Sequence, residues 1–438
     1  PFGIPPQTGW IPTDIRFVLV VLVVGAVVVT LAILGFKRLA QFASLASPWL
    51  FIMFIAGALA MLPSLASGVA GIGEIRSFSD FWELADKAIW TGESAAGTSE
   101  IGFWHVAAFA WIANLAMHIG LSVMALLRYA KKYTYGFFSA FGMFLGHYLA
   151  WIAAGIMGAG VALAMNTPLI ELDAGGVANF ALGLSGAVAV VVAGWTTSNP
   201  TLYRAGLALQ AVTPGWPRWV VTLVAGAVTT LIACSPFVFT KLLDFVGLYG
   251  LLLMPIGAIV FVEHFIFPKI GLTQYWNSHQ NRLMNWPALI SWFGSIAVAM
   301  ILWQTGTLHL FFLLIPTWIL TVITYIVLAR MWGATEAPET ESTEIPTAEE
   351  VEEERPDKST QTRASKSKPS TLFQVVRAIA LVALVLCLII PIRVFLGGTE
   401  NYAANIASMK TSLAWLSLTY FIFAGIWAYL KEKESGEF

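Results

Sequence analysis

The chain has 438 residues, of which 58% are hydrophobic and 11% charged, and its net charge is −1. Soluble domains carry about 25% charged residues, so a chain this poor in charge cannot cover a water-facing surface. The near-neutral balance, with no basic patch, excludes nucleic acid as a partner. The two cysteines, Cys234 and Cys387, both lie inside apolar runs, which excludes a disulfide scaffold.

A membrane-spanning helix needs about 20 apolar residues, and only helices or closed barrels satisfy their backbone in lipid. The apolar runs are long and continuous, without the alternation of barrel strands. The expected class is therefore an all-α polytopic membrane protein. In chain order, the spans are predicted at 17–35, 46–70, 104–127, 137–165, 178–200, 217–236, 243–267, 285–304, 309–329, 373–396 and 411–430. The loop 71–103 carries Glu74, Asp80, Glu83, Asp86, Glu93 and Glu100 and is expected to form a short interfacial helix around Phe81–Trp90.

Cytoplasmic loops gather Lys and Arg. With the first span running inward, eighteen of the 24 basic residues fall inside and six outside. Residues 334–372 are Pro-, Ser- and Thr-containing, acidic to Asp357 and basic from Lys358. They read as a disordered cytoplasmic linker. This divides the chain into a core of nine spans (1–333), the linker (334–372) and a C-terminal two-helix hairpin (373–438). The expected location is the bacterial inner membrane, with linker and C-terminus cytoplasmic.

Chemistry concentrates in Trp195-Thr196-Thr197-Ser198-Asn199-Pro200, inside the fifth run. So many polar groups at membrane depth must face protein, water or an ion. Pro200 removes a helix donor and is expected to free the carbonyl of Thr196. Hydroxyl and carbonyl oxygens suit a hard cation such as Na⁺; the alternative is that they bond neighbouring helices. His118, in the third run, is either a solute or proton-relay group or a packing histidine. Glu263, the clearest acid in an apolar run, is either a gate or proton-coupling residue or an ion-pair partner of Lys269 or Arg128. Gly155-Ile156-Met157-Gly158-Ala159-Gly160 permits close helix approach.

The segment Trp195–Gln210, reading WTTSNPTLYRAGLALQ, resembles the eighth-helix signature of the nucleobase–cation symporter-1 family, permeases for cytosine, purines, uracil, allantoin and hydantoins. Arg128-Tyr129-Ala130-Lys131 resembles the end of that family's sixth helix. Phe245-Val246-Gly247, Pro255-Ile256-Gly257 and Glu263 resemble its tenth, where Glu263-His264 stands in place of the usual Asp-Tyr. The resemblance covers roughly residues 10–332 and implies a LeuT-like fold of five-plus-five inverted repeats, with a central site at broken helices.

On that resemblance the nine spans correspond to helices four to twelve, so the chain, which starts at Pro1, is expected to be incomplete at its N-terminus. The family's sodium site falls on Thr196, Thr197 and the carbonyl of Ala193, and its substrate contacts fall near Ser198, where the family usually has asparagine, and Asn199. The family's stacking Trp and its acid on the sixth helix are replaced here by Ala116 and Ala125. Asn114, His118 and Ser122 stand nearby as polar candidates for the solute.

The expected function is cation-coupled symport of a nucleobase-like heterocycle by alternating access, coupled to Na⁺ or H⁺, without enzymatic activity or cofactor. The partners are a small solute and the bilayer. The competing reading is a non-transporting membrane sensor or assembly protein, docking a protein through the linker or hairpin. A haem-binding redox protein, using histidines of the third and fourth runs, is a third class, and the sequence has no Cys-x-x-Cys-His motif for it.

Overall fold

The computed structural model describes residues 4–5, 7, 9–69, 71–90, 102–118, 127, 130–335 and 370–435. All regular secondary structure among them is helical. The helices are α1 (Ile15–Leu34), α2 (Phe36–Gly68), α3 (Phe78–Leu84), α4 (Phe103–His118), α5 (Gly136–Met165), α6 (Ala174–Leu182), α7 (Leu184–Val212), α8 (Arg218–Ala233), α9 (Leu242–Phe261), α10 (Trp286–Gln304), α11 (Leu314–Met331), α12 (Thr371–Leu396) and α13 (Tyr402–Ser435). Each expected apolar run contains a helix or its described part. Eight of these are long and apolar enough to cross a membrane, so the chain reads as an integral membrane protein. Helix α7 is long, but its polar middle keeps it out of that set, and α8 is a shorter apolar helix.

Local chemistry sets the helix ends. Asp14 caps α1 by accepting from the Arg16 N–H. Asp173 caps α6 through the N–H groups of Gly175 and Gly176. Asn285 caps α10, with Pro287 in its first turn, where a missing N–H costs nothing. Ser77 and Asp80 form a reciprocal capping box at α3. The loop helix therefore begins three residues earlier than the sequence suggested, and it continues as a π-turn over Ala85–Ile89.

The described helices fall into two units. The first holds α1–α3, α5–α8 and the hairpin α12–α13. Its core joins Trp49, Met53, Met61 and Leu65 of α2 to Ile156 and Val161 of α5, to Cys387 of α12 and to Leu413 and Tyr420 of α13. Small residues set the spacing here. A Cβ added at Gly57 would collide with Met157 Sδ, and one at Gly226 with Val29 and Leu202 side chains.

The hairpin read from sequence as a separate C-terminal segment packs on α2. Tyr420 Oη donates to the Leu45 carbonyl at 2.8 Å and Tyr402 Oη to that of Ala60 at 2.7 Å. Trp49 Nε1 donates to Ser417 Oγ at 3.0 Å. At one end of the helix pair, Glu432 pairs with Lys37 at 2.7 Å and Arg38 at 2.9 Å.

The second unit holds α4 and α9–α11. Helix α9 packs against α4, α10 and α11, around Leu251, Met254, Ala299 and Leu313. Past α9 the chain makes a π-turn over Val262–Ile266 and then folds back across the end of α11. Thr273 N–H donates to the Ala334 carbonyl at 2.8 Å and Gln280 Nε2 to that of Gly333 at 3.0 Å. Trp276 and Phe267 are fully buried beneath this cap.

Candidate functional site

Helix α7 carries the polar cluster. It runs unbroken from Leu184 to Val212 through Pro200. The break lies one residue ahead of it, at Gly183, whose φ of +63° and ψ of −143° separate α6 from α7. Pro200 costs the Thr196 carbonyl its helical N–H, and neighbouring hydroxyls bond other carbonyls of the same stretch. Ser198 Oγ donates to the Gly194 carbonyl at 2.7 Å, and Thr201 Oγ1 to that of Thr197 at 2.8 Å.

The three residues expected at a cation site do meet. Thr196 Oγ1 donates to the Ala193 carbonyl at 2.8 Å and Thr197 Oγ1 to the same oxygen at 3.3 Å. Three oxygens thus converge within one helical turn. In this arrangement both hydroxyl protons point at the carbonyl, and a cation would require both hydroxyls to rotate so that their lone pairs face the ion. Thr196 is half-buried, whereas Thr197 and Ser198 are exposed.

Asn199 is 1% exposed, on the face of α7 that also buries Leu202, Tyr203 and Gly206. Neither its Nδ2 nor its Oδ1 finds a partner among the described residues. Behind Ala193 lies a cavity of about 430 Å³ in the first unit, walled by apolar side chains of α2, α5, α6 and α7, among them Met53, Phe54, Met157 and Val190. It can take an apolar group, and its lining provides no polar recognition.

Asn114 and His118 lie on α4, in the second unit. Their side chains, and Ser122 altogether, lie outside the described residues, as does Arg128. His147, on α5, has its Nδ1 3.0 Å from the Met143 carbonyl one turn back.

Glu263 sits in the π-turn after α9 and is half-buried. It forms no ion pair among the described residues. Its Oε2 accepts from Tyr325 Oη at 3.1 Å, and Asn285 Nδ2 donates to that same phenol at 3.0 Å. The chain of bonds runs one way, from Asn285 through Tyr325 to the carboxylate. Tyr325 is fully buried and stacks on Phe267 at 5.5 Å. On the exposed side, His264 Nδ1 lies 3.0 Å from Tyr275 Oη, and Gln274 Nε2 donates to the His264 carbonyl at 2.7 Å.

Sequence reading found Glu263 but missed Tyr325 and Asn285. A signal was present: Thr317, Thr321, Tyr325 and Ala329 recur every four residues along α11 and form its buried stripe. Among the described residues no group of three or more His, Cys, Asp or Glu is placed to hold a metal ion. No protein-family model, curated protein or solved structure matches the chain.

Proposed function

We propose that this chain is a cation-coupled secondary transporter for a nucleobase-like or related small heterocycle, built on a LeuT-like inverted-repeat fold in the bacterial inner membrane. The observation that carries the reading is the buried carboxamide of Asn199, without a partner among the described residues, on the helix that also brings together the Ala193 carbonyl and the Thr196 and Thr197 hydroxyls. A buried amide left unbonded costs about 1–3 kcal/mol, which a heterocycle's own donors and acceptors would offset on binding. Rotating two hydroxyls away from one carbonyl gives a coordinating set for Na⁺ on the same helix as that amide. Glu263, bonded by a phenol and without an ion pair among the described residues, fits a proton-coupling or gating group. The resemblance of Trp195–Gln210 to the symporter signature supports the same conclusion.

The test is uptake by the full-length gene product in proteoliposomes. Labelled cytosine, uracil and hydantoin would each be offered with an inward Na⁺ gradient, with a proton gradient and with none. Gradient-driven accumulation is expected for at least one solute, with Thr197→Ala removing the sodium dependence and Asn199→Ala weakening solute binding at least tenfold. Absence of gradient-driven uptake of any of the three sinks the reading.

The second reading, a membrane sensor or assembly protein on a transporter scaffold, is favoured by one observation. Both threonine hydroxyls already donate to Ala193, as ordinary helix-bonded threonines do. It predicts solute binding without accumulation, and docking of a protein partner through the linker or the hairpin.

A further inference from the structure

Most of the charged groups described in the first unit sit at helix ends or in loops, where they find partners. Lys410 does not. It lies on α13 eight residues past Tyr402, about 12 Å along the helix axis, immediately before the apolar run 411–430. That position places its ammonium at the boundary between headgroups and hydrocarbon. Among the described residues no carboxylate pairs with it. Its Nζ stands 5.2 Å from the centre of the Phe180 ring.

The α6–α7 break brings the lysine there. A Cβ added at Gly183 would lie 3.1 Å from Lys410 Cβ and 3.4 Å from its Cγ, so the glycine leaves room for the lysine stem to lie against the break. The stem is thereby held sideways against α6 and α7.

Beside it a crevice of about 580 Å³ runs between α7 and α13. Leu184, Val188, Ala414, Trp415, Leu418 and Phe421 supply its apolar walls. Its hydroxyls are already engaged: Ser417 Oγ accepts from Trp49 and lies 3.3 Å from Ser185 Oγ, and Thr411 Oγ1 donates to the Ala407 carbonyl at 3.2 Å. The crevice therefore offers at its rim one positive charge with no carboxylate partner among the described residues, and a long apolar wall below. A soluble anion would leave the wall unused, and an uncharged lipid would leave the ammonium unmatched.

We propose that this crevice is a binding site for one anionic phospholipid, with its phosphate on Lys410 and an acyl chain along the α7–α13 walls. The bound lipid ties the C-terminal hairpin to the helix that carries Thr196 and Thr197. The inference needs the membrane setting alone and holds whether or not the chain transports a solute.

Native mass spectrometry of the full-length protein in detergent, titrated with phosphatidylglycerol or phosphatidylcholine, tests it. The expected result is one tightly held phosphatidylglycerol, bound at least tenfold more strongly than phosphatidylcholine. Lys410→Gln should remove that preference, Lys410→Arg should restore most of it, and Lys241→Gln, at an exposed cation of the second unit, should leave it intact. Leu418→Trp, which fills the crevice but keeps the charge, should weaken binding of both lipids. Equal binding of the two lipids by the unaltered protein overturns the proposal, as does an unchanged preference in a folded Lys410→Gln variant.

Discussion

The hydroxyl of Tyr325 is used in both directions, accepting from Asn285 and donating to Glu263. Replacing it with hydrogen leaves a half-buried carboxylate and a carboxamide each short of a partner. Tyr325→Phe should therefore cost about 1–3 kcal/mol, read as a lower thermal midpoint of the purified protein in detergent. Adding Glu263→Gln should not add a second full loss, because the two groups share one bond. A second residue-scale expectation concerns His309, whose ring centre lies 5.0 Å from that of His105 in the loop before α11. Burial, and secondarily the neighbouring His105, hold its pKa below the ordinary histidine value. The folded state thus prefers the neutral ring. Its contribution is complete above about pH 6.5 and is lost as pH falls through that value and then through the lower folded-state pKa. The thermal midpoint should fall between pH 7 and pH 5, and less so in His309→Gln. The residue scale is also where sequence reading reached least far. It could name Thr196, Thr197 and Ala193, whose spacing within one turn puts their oxygens together on any helix. It could not show that Asn199 faces inward without a partner among the described residues, since burial depends on helices distant in sequence.

At the scale of the elements, the instructive difference is where the fifth apolar run breaks. Proline was the expected interruption, yet α7 passes through Pro200 and the chain turns instead at Gly183. A proline removes one N–H and need not end a helix in a membrane. A backbone at φ +63° and ψ −143° is open to glycine and little else. With 37 glycines in the chain, none of them marks a break by its presence alone, so the turn was not legible. The same junction yields a mutational test. A Cβ on Gly186 would overlap the backbone carbonyl oxygen of Ala178, which has no side-chain freedom with which to yield. Gly186→Ala should destabilise the protein by about 1–3 kcal/mol or more, measured by thermal unfolding. Gly194→Ala, where an added Cβ meets open space on the same helix, should be close to neutral. The spans themselves were readable, because hydrophobic length is a local property of sequence. The exceptions among the described helices include α8, which is short, and α7, whose polar middle makes it less apolar while marking it as the candidate site.

On the scale of the whole molecule, composition and run length gave the class, an all-helical membrane protein, but not the grouping of its helices. The C-terminal hairpin reads as an addition after a long charged segment, yet it packs against α2, and Arg38 meets Glu432 across 394 positions of sequence. No periodicity encodes such a pairing. Glu432 is 7% exposed in its side chain, while Lys37 and Arg38 remain about half exposed. Glu432→Gln should lower the thermal midpoint at low ionic strength, with the difference from the unaltered protein shrinking in 1 M salt as the charges are screened. A difference that persists undiminished in salt would mean that packing, not charge, holds this corner.

The order of synthesis gives that corner a further meaning. Residues 36–68 leave the ribosome hundreds of residues before 371–435, so α2 enters the bilayer with the face around Trp49 uncovered and its indole N–H waiting for Ser417. Until the last helix arrives, the nascent chain presents that face and an unanswered donor to the lipid. Chains released early would retain that exposed face, a lasting difference by which a cell's membrane proteases could distinguish unfinished copies from finished ones.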